Sequence, residues 1–539
     1  MPRELNPADA HSIAPDLGHG LTLARPRSLP RRAAETASAA GPDSSPAAPL
    51  DHAAIRRIIA GIMLAMFLSA LEQTIVAPAL PAIGKSLANI DDLSWVVTAY
   101  LLAATATTPL FGKLSDIHGR RAIILLAIII FIAGSLACAL APTIWMLVLG
   151  RCLQGIGGGG LLPIGQTIIA DMLSPRERPL AQSYTSVMFM GASILGPVLG
   201  GLLTDQLHWS FIFWINLPLG AVALVMTSRA LRRLPCHDRP HQLDLLGGGL
   251  MVAAALTLML ALACGGARYS WTSWQIISLI AASVALWVLF AARLLTAREP
   301  FIPLAILRGR VTSMITGAAF FSIGSVIAVT IYSPLYCQVV LGASASISGL
   351  ALITFMGGAT IGAVVTGRLL ARLTHYMRLP IVGLVIAIAT LGLLAINPAG
   401  LSLGVFALLL GVLGLALGPM YPASTVVMQN AVEPHEMGTA TGTLNFFRLL
   451  GRCPRQTAQP ASGAIIVAAF GAIVLGSASD TGDVMTLQKF AAGHADFAPA
   501  FQLVFIAAAC CLAIALACVL AVEERPLHGP VRLDDPAAE

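Results

Sequence analysis

The carboxylate of Glu72 lies in the run LSALEQTIVAPALP (residues 68–81), which contains no other charged residue. An ionisable side chain within a membrane span is costly and usually has a function. Burial favours the neutral form of a carboxyl group and a nearby cation favours the charged form, so a group under both influences can take up and release a proton. We therefore predict that Glu72 carries a proton; pinning of one helix to another is the structural alternative.

Arg151 is the expected partner of Glu72. A helix rises about 1.5 Å per residue, and Arg56 and Arg57 mark the start of the first apolar run. Glu72 therefore lies about 22 Å into a hydrocarbon core about 30 Å thick. Arg151 lies about 9 Å from the opposite boundary, where the fourth run begins near Trp145. The two depths agree, and an ion pair would reduce the cost of burying each charge.

Uncharged polar residues within the apolar runs are candidates for lining a substrate cavity, namely Gln154, Gln338 and Asn445. Gln154 follows Arg151 by one helical turn and is expected to supply hydrogen bonds there. Gln338 and Asn445 belong to the second half of the chain. Ordinary hydrogen bonding between membrane helices is the alternative for both.

The elements that must position these residues are membrane helices. The chain has 539 residues, of which 57% are hydrophobic and only 11% are charged, and its mean hydropathy is +0.82. Soluble proteins carry about 25% charged residues. Fourteen apolar runs, from 57–80 to 500–522, have the length of a membrane span, the thirteenth (441–475) being the weakest. Since irregular backbone cannot face lipid, these runs predict an all-α membrane protein.

Other classes of protein are disfavoured by the composition and by missing motifs. The basic residues form no single patch with interleaved aromatic residues, so nucleic acid is not expected as a partner. The HExxH, GxSxG and Walker motifs are absent from the sequence, and the nine cysteines lack the spacing of a metal site. We therefore expect neither an enzyme nor a bound cofactor or metal.

The distribution of Lys and Arg predicts the orientation, because these residues accumulate in cytoplasmic connections. If the amino terminus is inside, the cytoplasmic connections contain Lys113, Arg120, Arg121, Arg176, Arg178, Arg229, Arg232, Arg233, Arg239, Arg298, Arg308, Arg310, Arg372 and Arg378. The opposite side has only Lys85, Arg268 and Lys489. The sequence thus predicts a multi-pass protein of the cytoplasmic (inner) membrane with both termini in the cytoplasm.

Similar loops suggest how the helices are grouped. GKLSDIHGRR (112–121) follows the second run and GRLLARLTHYMR (367–378) follows the tenth, as expected for two six-helix bundles with two extra helices between them. The predicted domains are a disordered tail at 1–54, an amino-terminal bundle at 55–230, two linking helices at 231–300, a carboxy-terminal bundle at 301–525 and a tail at 526–539.

The loop GKLSDIHGRR also carries a specific motif. Gly112 and Gly119 permit a tight turn, and Asp116 is expected near a helix start, where negative charge is favoured. Here the chain resembles the major facilitator superfamily, whose signature G-x-L-x-D-x-x-G-R-R is matched at Gly112, Leu114, Asp116, Gly119, Arg120 and Arg121. The resemblance implies that this loop latches the two bundles in one conformational state.

The fifth run contains GASILGPVLGG (191–201), which is similar to the antiporter signature of drug-exporting facilitator families. Glycine removes side-chain bulk and proline removes a helical hydrogen bond, so this segment is expected to bend and to let a neighbouring helix approach closely. The residues concerned are Gly191, Gly196, Pro197, Gly200 and Gly201. Packing of small residues alone is the alternative.

Longer stretches resemble the fourteen-span drug:proton antiporter family of the EmrB/QacA type. They are LEQTIVAPALP, RCLQGIGGG (151–159), WSFIFWINLPLG (209–220), YSPLYCQVVLGASASISG (332–349) and MYPASTVVMQNAVEPHEMGTATGTLNFFR (420–448). The resemblance covers nearly all of residues 56–527 and implies the facilitator fold, with fourteen transmembrane helices. Glu72 stands where the family usually has aspartate, which keeps the carboxylate and lengthens its reach.

A second departure lies in GRCPRQTAQPASGA (451–464), where the family continues with glycines and small apolar residues. Two arginines, two prolines and two glutamines are costly at membrane depth unless they face water or protein. One hypothesis is a local reading-frame slip, which resequencing of the gene would test.

Together these features predict proton-coupled export of amphiphilic small molecules or drugs by alternating access. The expected partners are the small-molecule substrate, protons and the lipid bilayer, and a periplasmic adaptor protein is possible. One alternative is an exporter dedicated to a single metabolite, such as an antibiotic, a siderophore or an amino acid. Another is a membrane receptor that uses the same fold without transporting.

Overall fold

The computed structural model describes residues 52–87, 92–233, 244–265, 269–370, 373, 375–396, 400–450 and 498–524. Helices are the regular elements throughout these residues, and thirteen of them are long and apolar enough to cross a membrane. The predicted all-α membrane architecture is therefore confirmed. The segment 451–464, with its proposed frame slip, lies outside the described residues.

The first half of the protein runs from the first described residue to residue 230. Its helices are α1 (His52–Ile75), α2 (Leu80–Ser86), α3 (Leu93–His118), α4 (Arg120–Ala139), α5 (Ile144–Met172), α6 (Arg178–Gln206), α7 (Phe211–Trp214) and α8 (Asn216–Ala230).

Two long helices, α9 (Leu245–Cys264) and α10 (Trp274–Thr296), follow the first half. The second half contains α11 (Leu304–Arg308), α12 (Arg310–Val339), α13 (Ala345–Leu370), α14 (Arg378–Ile396), α15 (Leu403–Leu417), α16 (Met420–Ala431), α17 (Met437–Leu450) and α18 (Ala498–Leu520). Helix α17 begins four residues before the predicted thirteenth span, and the rest of that span lies beyond the described part of the chain.

The first predicted span, 57–80, is interrupted rather than continuous. Helix α1 ends at Ile75, a 3-10 turn covers Ala77–Ala79, and α2 begins at Leu80. Pro78 cannot donate a backbone hydrogen bond and disfavours a helical residue before it, which accounts for the interruption. Glu72 consequently lies in the last turn of α1, next to the break.

Glycines in α5 allow it to pack directly against the backbones of α3 and α4. A Cβ atom at Gly155 would lie 2.4 Å from the carbonyl oxygen of Tyr100, and one at Gly157 would lie 2.4 Å from the backbone nitrogen of Phe131. A larger residue would separate these helices. The glycine-rich sequence after Arg151 therefore holds that side chain at the centre of the first half.

Most of the buried apolar side chains form two large clusters, one within residues 58–231 and one within residues 251–519. A smaller cluster joins α3, α9 and α17 through Leu102, Ala255, Met259, Phe446 and Leu450. The additional helix α9 therefore packs against both halves. The domain boundaries at residues 230 and 300 remain predictions.

Candidate functional site

The side chains of Glu72 and Arg151 form an ion pair inside the first half, as their matching depths suggested. They are 0% and 1% exposed, respectively. Arg151 Nη1 also donates to Gln154 Oε1 at 2.6 Å, and its Nε donates to the carbonyl oxygen of Val96 at 2.9 Å. Asn216 Nδ2 donates to the other carboxylate oxygen, Glu72 Oε2, at 2.6 Å. The two charges are thus neutralised by each other and by hydrogen bonds.

Other side chains hold this ion pair in place. Gln154 Nε2 donates to Ser135 Oγ of α4 at 2.7 Å. The guanidinium carbon of Arg151 lies 4.5 Å from the ring centroid of Tyr100 and 5.7 Å from that of Phe213. An arginine at such distances from aromatic rings gains a favourable cation–π interaction. The position of the pair is therefore determined by several helices of the first half.

Asn216 is the member of this site that sequence reasoning missed. It is fully buried at the start of α8, within the quoted run WSFIFWINLPLG. A carboxamide in an apolar run usually bonds to another helix, so the residue type was an available signal. Its Oδ1 atom is buried and has no hydrogen-bond partner in the described part of the chain. Among the described residues, the amide therefore uses its Nδ2 donor but not its Oδ1 acceptor.

A second polar centre surrounds Arg448 in the second half. The residue is 4% exposed. Its Nη2 donates to the carbonyl oxygen of Tyr421 at 3.0 Å, to Ser424 Oγ at 2.6 Å and to Thr425 Oγ1 at 2.9 Å, and its Nη1 donates to Asn445 Oδ1 at 3.3 Å. All of these acceptors are neutral. Among the residues that the structure describes, no carboxylate pairs with Arg448.

Gln166 of α5 connects this centre to the first half. Its Oε1 accepts a hydrogen bond from Asn445 Nδ2 at 2.7 Å, and its Nε2 donates to the hydroxyl of Tyr421 at 3.1 Å. Its carbonyl oxygen also accepts from Gln429 Nε2 at 3.3 Å. Asn445 thus takes part in a contact between the two halves. Sequence reasoning gave no role to Gln166 or Arg448, although a charge and an amide in apolar runs could have drawn attention to both.

Gln338 lies apart from both centres. It is exposed and precedes Val339, the last residue of α12. No hydrogen bond within the described part of the chain joins it to Glu72 or Arg448. Its role in a substrate cavity stays a prediction.

The loop GKLSDIHGRR joins α3 to α4 through Gly119, whose φ of 83° is in the region that favours glycine. The expectation that Gly112 forms part of a turn is wrong, because Gly112 lies inside α3. A Cβ atom there would lie 2.4 Å from the carbonyl oxygen of Gly438, so Gly112 permits close contact with α17 instead. Arg121 is partly exposed, and its buried Nε has no hydrogen-bond partner among the described residues.

Asp116 does lie near a helix start, but the helix is α17 of the second half. Its Oδ1 accepts from the backbone nitrogen of Gly438 at 3.0 Å, and its Oδ2 accepts from the backbone nitrogen and Oγ1 of Thr439, each at 2.6 Å. Arg120 pairs with Asp116 and, at 3.0 Å, with Asp171 at the end of α5. A carboxylate at a helix amino terminus is stabilised by the free backbone donors and the helix dipole. The loop thus joins the two halves in this conformation.

Two glycines of GASILGPVLGG let α6 approach the break after α1. A Cβ atom at Gly196 would lie 2.0 Å from Thr74 Oγ1, and one at Gly200 would lie 2.2 Å from the carbonyl oxygen of Ile75. Thr74 Oγ1 also donates to the carbonyl oxygen of Ala192 of α6 at 2.9 Å. These contacts begin two residues after Glu72, so the α6 motif packs beside the buried carboxylate.

The other residues of that motif are placed differently. Gly191 and Gly201 have no heavy atom within 4 Å of a built Cβ, so neither makes a close approach. Pro197 lies inside α6, which continues through it from Arg178 to Gln206. The predicted close packing thus falls on two of the four glycines.

Comparison with known proteins gives a consistent family assignment. The family model of the Major Facilitator Superfamily matches residues 62–454. Multidrug transporter protein MdtP of Bacillus subtilis is 33% identical over 395 residues, which are 73% of this chain and 72% of that protein. Efflux pump dotC of Dothistroma septosporum is 33% identical over 411 residues, which are 75% of this chain and 70% of that protein.

Solved structures agree on the fold. The human organic anion transporter MFSD10 (TETRAN) has a TM-score of 0.59 at 18% sequence identity, covering 86% of this chain and 99% of that one. The proton:xylose symporter XylE has a TM-score of 0.56 at 14% identity, covering 87% of this chain and 95% of that one. These likenesses concern the fold alone. With the matched family model and the similar relatives, they lead to one conclusion: the chain belongs to the Major Facilitator Superfamily and is a membrane transporter, not an enzyme.

Proposed function

We propose that this protein exports amphiphilic small molecules in exchange for protons, and that Glu72 carries the proton. The observation that supports this most directly is the fully buried ion pair between Glu72 and Arg151. Neither charge would be tolerated alone at this depth, and the carboxylate is the partner that can become neutral. The names of the relatives, a multidrug transporter and an efflux pump, support drug-like molecules as substrates.

Asn216 can serve both protonation states of Glu72. In this structure its Nδ2 donates to the carboxylate, while the described residues offer no partner to its Oδ1. A carboxamide rotated by half a turn would offer Oδ1 as an acceptor to the protonated carboxyl group. The new O–H donor of Glu72 would then have an acceptor, but the flip moves Nδ2 to the side where the described residues leave Oδ1 without a partner, and an unpaired buried donor costs about 1–3 kcal/mol.

The second consequence of protonating Glu72 is that Arg151 loses its counter-ion. The neutral acid no longer compensates the guanidinium, which still bonds to Gln154 and Val96. A buried cation without a counter-ion favours a conformation in which water reaches it. We infer that this difference in free energy links the proton to alternating access of the two halves.

We assign the conformation seen here to a state that is closed on the cytoplasmic side. The contacts of Asp116 with α17 and of Gln166 with Tyr421 and Asn445 join the two halves near the ends of α3 and α5. With both termini in the cytoplasm, as the basic residues predict, these helix ends face the cytoplasm. Opening there requires both contacts to break, which gives Asp116 and Arg120 the proposed role of a latch. Residence in the inner membrane and a periplasmic adaptor remain predictions.

Exchange can be tested with purified protein in liposomes that have an acidic interior and a pH-sensitive dye inside. We expect rhodamine 123, an amphiphilic cation, to enter these liposomes as protons leave, so the internal pH rises. Glu72→Gln should abolish the dye-dependent rise, because glutamine keeps hydrogen-bonding groups but carries no exchangeable charge.

The matched control is Asp244→Asn. Asp244 is also a buried carboxylate paired with an arginine, Arg293, at 3.1 Å, and its Oδ1 caps the start of α9 at Gly247. This variant should exchange like the unchanged protein. Normal exchange by Glu72→Gln would refute the assignment of the proton carrier. If the unchanged protein fails to exchange with a broad panel of compounds, the proposed transport itself is wrong and a receptor role is favoured.

A further inference from the structure

Arg448 has a positive charge that the described residues leave uncompensated. Its hydrogen-bond acceptors are the neutral groups of Tyr421, Ser424, Thr425 and Asn445, and its buried Nε has no partner among the residues that the structure describes. Arginine does not lose its proton inside proteins, so the charge persists. An uncompensated buried charge costs several kcal/mol. Such a cost is expected where the charge has a binding partner at another stage of the protein's cycle.

The place of Arg448 in the fold makes it accessible when the halves separate. Tyr421 and Asn445, which flank it, are the residues that bond to Gln166 of the first half. Separation of α5 from α16 and α17 breaks these bonds and uncovers the surroundings of the guanidinium. Arg448 is therefore covered by the interface that must open during alternating access.

An aromatic pair lies beside Arg448. The ring of Tyr421 lies 4.4 Å from its guanidinium carbon. The ring of Phe189 of α6 lies 6.4 Å from that of Tyr421, edge to face. An anion with an aromatic body would find a charged group and apolar rings in adjacent positions.

We propose that Arg448 is a substrate-binding residue that holds the carboxylate of a transported aromatic acid. This rests on the proposed function and adds aromatic acids to it as one class of amphiphilic substrate, beside the cations that the exchange assay uses. The planar guanidinium can bind a carboxylate through two parallel hydrogen bonds, with Nε as one of the donors. The substrate carboxylate serves as the counter-ion of Arg448, just as Glu72 serves as the counter-ion of Arg151. The two halves then differ in purpose, because the first binds a proton and the second binds the acidic group of the substrate.

The test uses three compounds with one ring system and different charges: 1-naphthoate, 1-naphthamide and 1-naphthylmethylammonium. Their binding to the purified full-length protein is measured by fluorescence in detergent. A hydrogen-bonded charge pair contributes about 1.5–3 kcal/mol, so Arg448→Gln should weaken 1-naphthoate binding by about 10- to 100-fold. Binding of the amide and of the ammonium compound should change less than about twofold.

Arg310→Gln is the matched control, because Arg310 is an arginine of the same half that is 66% exposed and pairs with Glu523. It should bind all three compounds like the unchanged protein. Arg448→Lys keeps the charge but loses the planar pair of donors, and it should fall between the unchanged protein and Arg448→Gln.

If Arg448→Gln fails to fold, thermal unfolding of the unchanged protein tests the proposal instead. The proposal requires 1-naphthoate to raise the Tm while 1-naphthamide at equal concentration does not. It is overturned if the unchanged protein binds 1-naphthoate no better than 1-naphthamide, or if Arg448→Gln weakens all three compounds equally. Binding is measured without a pH gradient. Absence of proton exchange by the unchanged protein in the liposome assay would refute the proposed antiport. The binding measurements on Arg448 would be judged separately.

Discussion

Arg151 and Arg448 are buried to a similar extent, at 1% and 4% exposure, but their surroundings differ. Arg151 pairs with the carboxylate of Glu72, and its Nε bonds to the carbonyl oxygen of Val96. Arg448 bonds to neutral oxygens, and its Nε has no partner within the described ranges. The comparison shows that burial alone does not define an electrostatic site. One arginine has a carboxylate partner, which is a titratable group, whereas the other has only neutral partners among the described residues.

The two centres also differ in their neighbours. Every bond of the Glu72 and Arg151 centre described above stays within the first half. The Arg448 centre reaches across to Gln166 of the first half through Tyr421 and Asn445. In the proposed movement of the halves, the first centre can therefore keep its bonds, whereas the second loses those to Gln166.

The largest effect is expected from Glu72→Ala. It leaves the guanidinium of Arg151 buried without a counter-ion, and removing one partner of a buried pair costs about 3–5 kcal/mol. Arg448→Gln removes a charge that has no described counter-ion and leaves neutral groups that can bond to the new amide, so it should cost less than about 1.5 kcal/mol. The free energy of unfolding, measured with denaturant in mixed micelles, provides the comparison.

The double variant Glu72→Ala, Arg151→Met is the control for that prediction. Removing both charges should recover part of the stability lost in Glu72→Ala, since no unpaired ion remains. Equal losses for Glu72→Ala and Arg448→Gln would contradict the distinction between a compensated and an uncompensated arginine.

Glycine packing beside the first centre is tested by Gly196→Ala. The added Cβ would lie 2.0 Å from Thr74 Oγ1, so α6 must shift away from α1, at a cost of about 1–3 kcal/mol. Gly201→Ala, in the same motif but with open space, should leave stability unchanged or raise it by up to about 1 kcal/mol. Thermal unfolding distinguishes the two, and a stable Gly196→Ala variant would show that this contact does not support the site.

The latch is tested by Asp116→Ala, which removes the cap of α17. The start of this helix loses its hydrogen bonds from Gly438 and Thr439, so the variant should be destabilised by about 1–2 kcal/mol. Asp116→Asn retains an acceptor and should lose less. Equal losses in the two variants would show that the ion pair with Arg120, which both remove, dominates over the cap at this loop.

A smaller effect is expected from Gln166→Ala, which removes the side-chain bonds between the first half and the second centre. Loss of these bonds should cost about 1 kcal/mol and leave the Glu72 centre unaffected. Gln338→Ala changes an exposed glutamine and should alter the free energy of unfolding by less than about 0.5 kcal/mol. If both variants behave alike, Gln166 does not hold the halves together.

The sequence by itself determined where the helices lie along the chain and how deep their polar residues sit. Hydropathy and the rise per residue depend only on local sequence, which is why the runs 245–265 and 274–296 agree with α9 and α10 almost to the residue. The same arithmetic put Glu72 and Arg151 at one level. Hydropathy alone predicts one continuous run at 57–80 and does not reveal the interruption at Pro78.

Only the tertiary structure decided which helix faces which. Depth along the membrane does not specify the neighbour in the membrane plane, since that depends on packing between segments far apart in the sequence. Asp116 caps α17, which begins 321 residues later, and Gln166 bonds to Asn445 of that helix. Asn216 contacts Glu72 because α8 packs against α1. Those contacts depend on the rotation of each helix about its own axis. Close packing at glycines and buried hydrogen bonds fix that rotation in the folded protein.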